Sequence, residues 1–113
     1  MSSKSKIKRR RSKYGAVPTV IDGIRFASKK EAKRYTVLKD LENKGEIHAL
    51  VCHPSFSLAI NGQHLCRYIA DFKYMDNGGV EHVEDVKGMI TSVFTLKKKL
   101  MKILLNIEVE IFK

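Results

Sequence analysis

Asp71, Asp85 and Lys87 are the residues of this chain whose types and spacing could do chemistry. Asp71 lies in "YIADF", and after a turn at "DNGG" the stretch "VEDVKG" carries Glu84, Asp85 and Lys87. Strand side chains alternate between faces, so Asp85 and Lys87 share one face at a Cα separation of about 7 Å and Glu84 takes the other. If the turn lays Tyr74 and Met75 beside Val80 and Glu81, Asp71 and Asp85 come close together. Two carboxylates at short range raise each other's pKa unless a cation sits between them. Hard cations such as Mg²⁺ take oxygen ligands, commonly one or two carboxylates completed by substrate phosphate. A lysine beside such a pair could orient an attacking water or neutralise charge developing on a phosphate. The alternative is an ordinary hairpin whose acids are solvated, and the short pattern alone does not separate the two.

These residues have to be positioned by the elements around them. "SKKEAKRYTVLKDLENKGE" is the clearest helix. Ser28 suits the N-cap and Glu31 stands three residues on, which makes a capping box. Ala32, Tyr35, Leu38 and Leu41 form its apolar stripe, and Gly45 suits its end. Before it, "PTVIDGIRFAS" predicts a small hairpin turning at Asp22-Gly23. After it, "IHALVCHPSFSLAI", "HLCRYIADFKYM" and "VEHVEDVK" read as strands joined by turns at Asn61-Gly62 and "DNGG", with Pro54 interrupting the first. "SVFTLKKKLMKILLN" predicts a second helix, with Phe94 or Val93, Leu96, Leu100, Ile103 and Leu104 inward and its lysines outward. "IEVEIFK" alternates as a closing strand. The order after the hairpin is helix, three strands, helix, strand, which predicts an α/β fold of the α+β type, a mixed sheet flanked by helices.

That order, with "YIADF", "VEDVKG" and the upstream "SKKEAKRY", resembles the PD-(D/E)xK nuclease superfamily. More closely, residues 14–113 look like a family of small phage and prophage proteins known as a domain of unknown function and grouped with those nucleases. The resemblance implies a restriction-endonuclease-like αβββαβ core with a leading β-hairpin. Carried over by residue, Asp71 matches the aspartate of the second core strand, Asp85 the acid of the triplet, Lys87 its lysine, and Glu31 the glutamate often supplied by the first core helix. Glu31 is also explained by the capping box. Glu84, next to the triplet acid, is a reserve ligand that a β-bulge would turn inward. The implied activity is a Mg²⁺-dependent DNA endonuclease, with Mn²⁺ as a substitute, leaving 5′-phosphate and 3′-hydroxyl ends. Branched DNA, including the Holliday junctions of phage recombination, is the implied substrate class. Symmetric cutting of two strands would call for a homodimer.

Charge points to the same partner. The 113 residues carry 22 Lys and Arg against 12 Asp and Glu, a formal net charge of +10. Residues 1–13, "MSSKSKIKRRRSK", hold seven of those cations and no acid, which predicts a disordered basic arm before a single domain of residues 14–113. Such an arm gains affinity for nucleic acid by releasing counterions, and Lys8, Arg9, Arg10 and Arg11 are its densest part. Lys97 and Lys98 on the second helix, and Thr91 before it, are further candidate backbone contacts, against the simpler reading of a solvated helix face. A non-catalytic nucleic-acid-binding accessory protein is the alternative that charge alone also fits. No stretch is long and apolar enough to span a bilayer. The basic N-terminus lacks the apolar segment of a secretory signal, and two cysteines make no disulfide framework, so a cytoplasmic setting in the host cell is expected. Cys52, His53, His64 and Cys66 match no common zinc spacing, and His82 reads as a surface histidine.

Overall fold

The computed structural model describes residues 17–113. The leading hairpin forms as β1 (Thr19–Ile21) and β2 (Ile24–Phe26), turning at Asp22-Gly23 with both residues at positive φ. Helix α1 (Lys29–Asn43) follows, with Ser28 as its N-cap accepting from the Glu31 amide at 3.1 Å. Gly45, at φ +77°, lets the chain turn back, and the Glu46 amide donates to the Leu41 carbonyl at 2.9 Å.

The strand region divides more finely than its hydrophobic runs predict. The first run breaks at Pro54, as expected, into β3 (Ile47–Cys52) and β4 (Ser55–Ile60), but the second also splits, at Asp71, into β5 (Gln63–Ile69) and β6 (Phe72–Asp76). Strand β7 (Glu81–Val86), helix α2 (Ser92–Leu105) and strand β8 (Val109–Phe112) complete the chain. A four-stranded sheet has the order β3-β6-β7-β8, and β4 and β5 pair only with each other. Neighbours in the large sheet are antiparallel except β7 and β8, which are parallel because α2 carries the chain back across. The fold is thus a mixed α+β arrangement of two helices and three sheets among the described residues.

The helices pack against two separate apolar clusters. Tyr35 and Leu38 of α1 pack with Phe26, Ile47, Phe72 and Tyr74. Phe94 and Met101 of α2 pack with Leu58, Tyr68, Val83 and Val109. The α2 face differs from its prediction: Met101 is fully buried, Leu100 and Leu104 are half-buried, and Leu96 and Ile103 are exposed. Apolar residues span a wider arc of this helix than the sheet can cover, so periodicity alone does not fix which part turns inward. Strand β7 lies between both clusters, and Val83, Glu84 and Asp85 are all buried. Register on β6 is Met75 opposite Glu81, Tyr74 opposite His82 and Phe72 opposite Glu84. No helix among the described residues is long and apolar enough to cross a membrane.

Candidate active site

The start of β6, the end of β7 and the N-termini of both helices meet at one cleft of about 500 Å³. Glu31, Asp71, Asp85 and Lys87 all line it. The strand break at Asp71 brings this about. Its amide donates to the Glu84 carbonyl at 3.1 Å and its carbonyl accepts from the His53 amide at 2.9 Å, so the residue is tied to β7 on one side and to the β3–β4 corner on the other. Its carboxylate reaches across to accept the Val86 amide at 2.6 Å.

Asp71 and Asp85 line the cleft as neighbouring carboxylates. Burial first, and the neighbouring Asp85 carboxylate second, push the Asp71 carboxyl up to about 8, against the opposing pull of the Val86 amide. Asp85 is itself 3 % exposed. One of its oxygens takes the Tyr68 hydroxyl and the other lies 3.3 Å from Lys87 Nζ. Burial and the Asp85 carboxylate together raise the Tyr68 phenol, so it stays a proton donor. Lys87 is steadied from two sides: its amide donates to the Phe112 carbonyl at 2.8 Å, and its ammonium sits 4.5 Å from the centroid of the Phe94 ring.

Glu31 is a buried carboxylate at a helix start, 4 % exposed. Its cap interaction is shifted by one residue from a capping box: Oε1 accepts from the Ala27 amide at 3.1 Å rather than from Ser28. That leaves Oε2 facing the cleft region, where it meets His53 Nε2 at 2.8 Å. Glu31, His53 and Asp71 each offer one ligand atom, and these atoms lie within 4.8 Å of one another. Two carboxylates and an imidazole at this spacing, with the Asp85 carboxylate as a neighbour of Asp71, are a donor set that fits a divalent cation.

Glu84, the reserve ligand, is placed elsewhere. The β6–β7 pairing is regular at this point, so Glu84 keeps the face opposite Asp85 and is fully buried. Arg34 grips it with two bonds of 2.8 Å each and the Tyr74 hydroxyl donates to it as well. With its oxygens so occupied it is a structural anion joining α1 to β7. His82 is more than a surface histidine. Its two ring nitrogens face Asp76 at 2.8 Å and Glu110 at 2.6 Å, and these carboxylates raise its pKa.

The cleft has a cationic rim. Lys29 and Lys30 of the first turn of α1 line it, as does Thr91 before α2. Thr91 is the N-cap of α2, its hydroxyl accepting from the Phe94 amide at 3.1 Å, which leaves the hydroxyl proton free to donate. Lys97 donates to the Arg67 carbonyl at 2.9 Å and Lys98 pairs with Glu108 at 2.7 Å. Lys8, Arg9, Arg10 and Arg11 lie outside the described residues. Cys52 and Cys66 are free and half-buried. His64 turns to Ser57 while His53 turns to Glu31, so these histidines serve different neighbourhoods.

His53 and Tyr68 are the site residues that sequence reasoning missed. Tyr68 carried a signal, since it stands in "YIADF" on the strand leading to Asp71. His53 is placed by the sharp corner before Pro54, where it adopts φ +56°, and that is not readable from spacing.

Searches of curated proteins and of solved structures return no significant match. A family profile described as "Protein of unknown function (DUF1064)" matches residues 11–110, which takes in every element from the leading hairpin into β8 and all of the cleft residues named above. On that coverage the chain belongs to the DUF1064 family of proteins of unknown function.

Proposed function

We propose that this protein is a divalent-cation-dependent DNA endonuclease of the PD-(D/E)xK type, with Mg²⁺ as its cation and Mn²⁺ as a substitute. The observation that carries the reading is the convergence of Glu31, Asp71, Asp85 and Lys87 on one cleft rimmed by cations. Crowding carboxylates into a partly buried cleft is costly, and a hydrogen-bonding or packing role would be met more cheaply by neutral residues. The order α1, β3, β6, β7, α2, β8, once the β4–β5 hairpin is set aside, agrees with the αβββαβ order of that superfamily.

Asp71, Asp85 and Glu31 would hold the cation, which when bound supplies charge neutralisation at a phosphate and a more acidic water. Lys87 donates toward the same space. Its ammonium is held beside Asp85 and over Phe94, so it is placed to orient a water or to stabilise charge on the phosphoryl oxygens at little reorganisation cost. Tyr68 fixes the Asp85 carboxylate by donating to one oxygen, leaving the other on the Lys87 side. Two helix N-termini open on the cleft, and their partial positive charge together with Lys29 and Lys30 favours an incoming phosphate.

A protein of this size with a high net positive charge reads DNA shape and backbone more readily than base sequence. Branched DNA of the kind formed in phage recombination is the proposed substrate, and a dimer would cut its two strands symmetrically. The test is incubation with labelled duplex, single-stranded and four-way-junction DNA in Mg²⁺, in Mn²⁺ or in EDTA. Cleavage in either cation, lost in EDTA and strongest on the junction, is the expected result. Tight binding with no cleavage in any cation would leave a non-catalytic nucleic-acid-binding protein instead.

A further inference from the structure

We infer that His53 ligates the same cation as Glu31 and Asp71, and that its imidazole raises the affinity of the site for Mn²⁺ relative to Mg²⁺. The inference rests on reading the cleft as a divalent-cation site and adds a nitrogen donor to it. An octahedral ion with bonds of about 2.1 Å holds adjacent donors about 3 Å apart and opposite donors about 4.2 Å apart. His53 Nε2 stands 2.8 Å from Glu31 Oε2, which is the spacing of two adjacent donors. One ligand atom from each of Glu31, His53 and Asp71 falls within 4.8 Å of the others, so one ion reaches all three with small side-chain adjustments.

The ring is aimed by the backbone. His53 adopts φ +56°, a region that few side chains other than Gly, Asn, Asp and His visit. Its amide donates to the Asp71 carbonyl at 2.9 Å, which fixes its distance from that ligand. The ring lies 5.7 Å from the Phe26 ring, centroid to centroid, against the apolar cluster beneath α1. A purely structural partner for Glu31 would need only a donor. An imidazole also offers a lone pair, and imidazole nitrogen suits first-row transition ions, whereas Mg²⁺ is best served by oxygen.

The experiment uses the full chain and Mn²⁺ alone, without DNA. Pulsed electron paramagnetic resonance of bound Mn²⁺ reads directly whether a ¹⁴N nucleus is ligated, and calorimetry gives the Mn²⁺ and Mg²⁺ affinities. His53→Gln is the paired variant, because glutamine can still donate to Glu31, and the variant's melting temperature checks that the corner accepts glutamine at positive φ. The expected result is a ¹⁴N coupling in the wild type that is lost in H53Q. The Mn²⁺ affinity should fall at least about tenfold in the variant while the Mg²⁺ affinity changes much less. Bound Mn²⁺ without nitrogen coupling, or an H53Q variant with unchanged Mn²⁺ affinity, would overturn the inference. Failure to bind Mn²⁺ at all would overturn it together with the cation reading of the cleft. Nitrogen-coupled Mn²⁺ on a protein that cuts no DNA would overturn the nuclease reading and leave His53 a ligand.

Discussion

At the scale of single residues, Asp71 couples stability to pH in a way that bears on its role. Its carboxyl is raised from 3.8 to about 8 in the folded protein, so the folded state holds a proton that the unfolded state has given up. Its contribution to stability is therefore full below about pH 4 and is lost as pH rises through about 8. Without divalent cations, the wild-type melting temperature should decline across that window more steeply than that of Asp71→Asn. Adding Mg²⁺ or Mn²⁺ at the alkaline end should restore the wild type and not the variant. Equal slopes in a thermal-melt series would show that the Asp71 carboxyl is not raised in the folded protein. The aspartate pair and Lys87 were legible in the sequence, because strand alternation and one turn are enough to gather them. His53 was not, since its role depends on a left-handed corner and on a partner supplied by another element. The Arg34–Glu84 pair, fifty residues apart, was hidden for the same reason, and Glu84 next to a recognisable triplet was easy to misassign.

At the scale of elements, α1 does two jobs at one end. Ser28 and Glu31 both secure its first turn, through the Glu31 and Ala27 amides respectively, and Glu31 also faces His53. Glu31→Gln should keep both hydrogen bonds, since its amide oxygen can accept from Ala27 and its NH₂ can donate to a neutral ring. Stability should drop by less than about 1 kcal/mol, the scale of a cap. Cleavage should fall on the order of a hundredfold or more, and recover in part at high Mn²⁺. Unchanged cleavage in a folded variant would leave Glu31 as a cap only. Further along the helix, Arg34→Met strands the fully buried Glu84 carboxylate with Tyr74 as its remaining side-chain partner. Urea denaturation should register a loss of about 3 kcal/mol, toward the lower end for a broken buried pair because the Arg34 side chain is 22 % exposed. A loss below about 1 kcal/mol would mean that the pair does not hold α1 to β7. Both helices, the leading hairpin and the closing strand were legible from caps, turn dipeptides and periodicity. The separate β4–β5 sheet was not, because Pro54 marks one break but Asp71 interrupts a run that otherwise reads as a continuous strand.

At the scale of the whole molecule, charge is unevenly distributed. Seven of the cations fall in residues 1–13, while three carboxylates, those of Glu31, Asp71 and Asp85, line the cleft. Deleting residues 1–13 should leave the melting temperature nearly unchanged and weaken binding to all DNA sequences alike. It should also flatten the salt dependence, by about 0.9 in the slope of log K against log salt for each phosphate that the arm no longer neutralises. Equal salt slopes for full-length and truncated protein would show that the arm does not touch DNA. The cleft is tested most directly by Asp85→Asn, with single-turnover cleavage and DNA binding measured on the same junction substrate in Mg²⁺. The substitution removes a ligand charge and also a charge that repels phosphate. Cleavage should therefore fall at least about a hundredfold while binding is held or strengthened. An Asn variant that cuts at the wild-type rate would contradict the assignment of this cleft as a nuclease site.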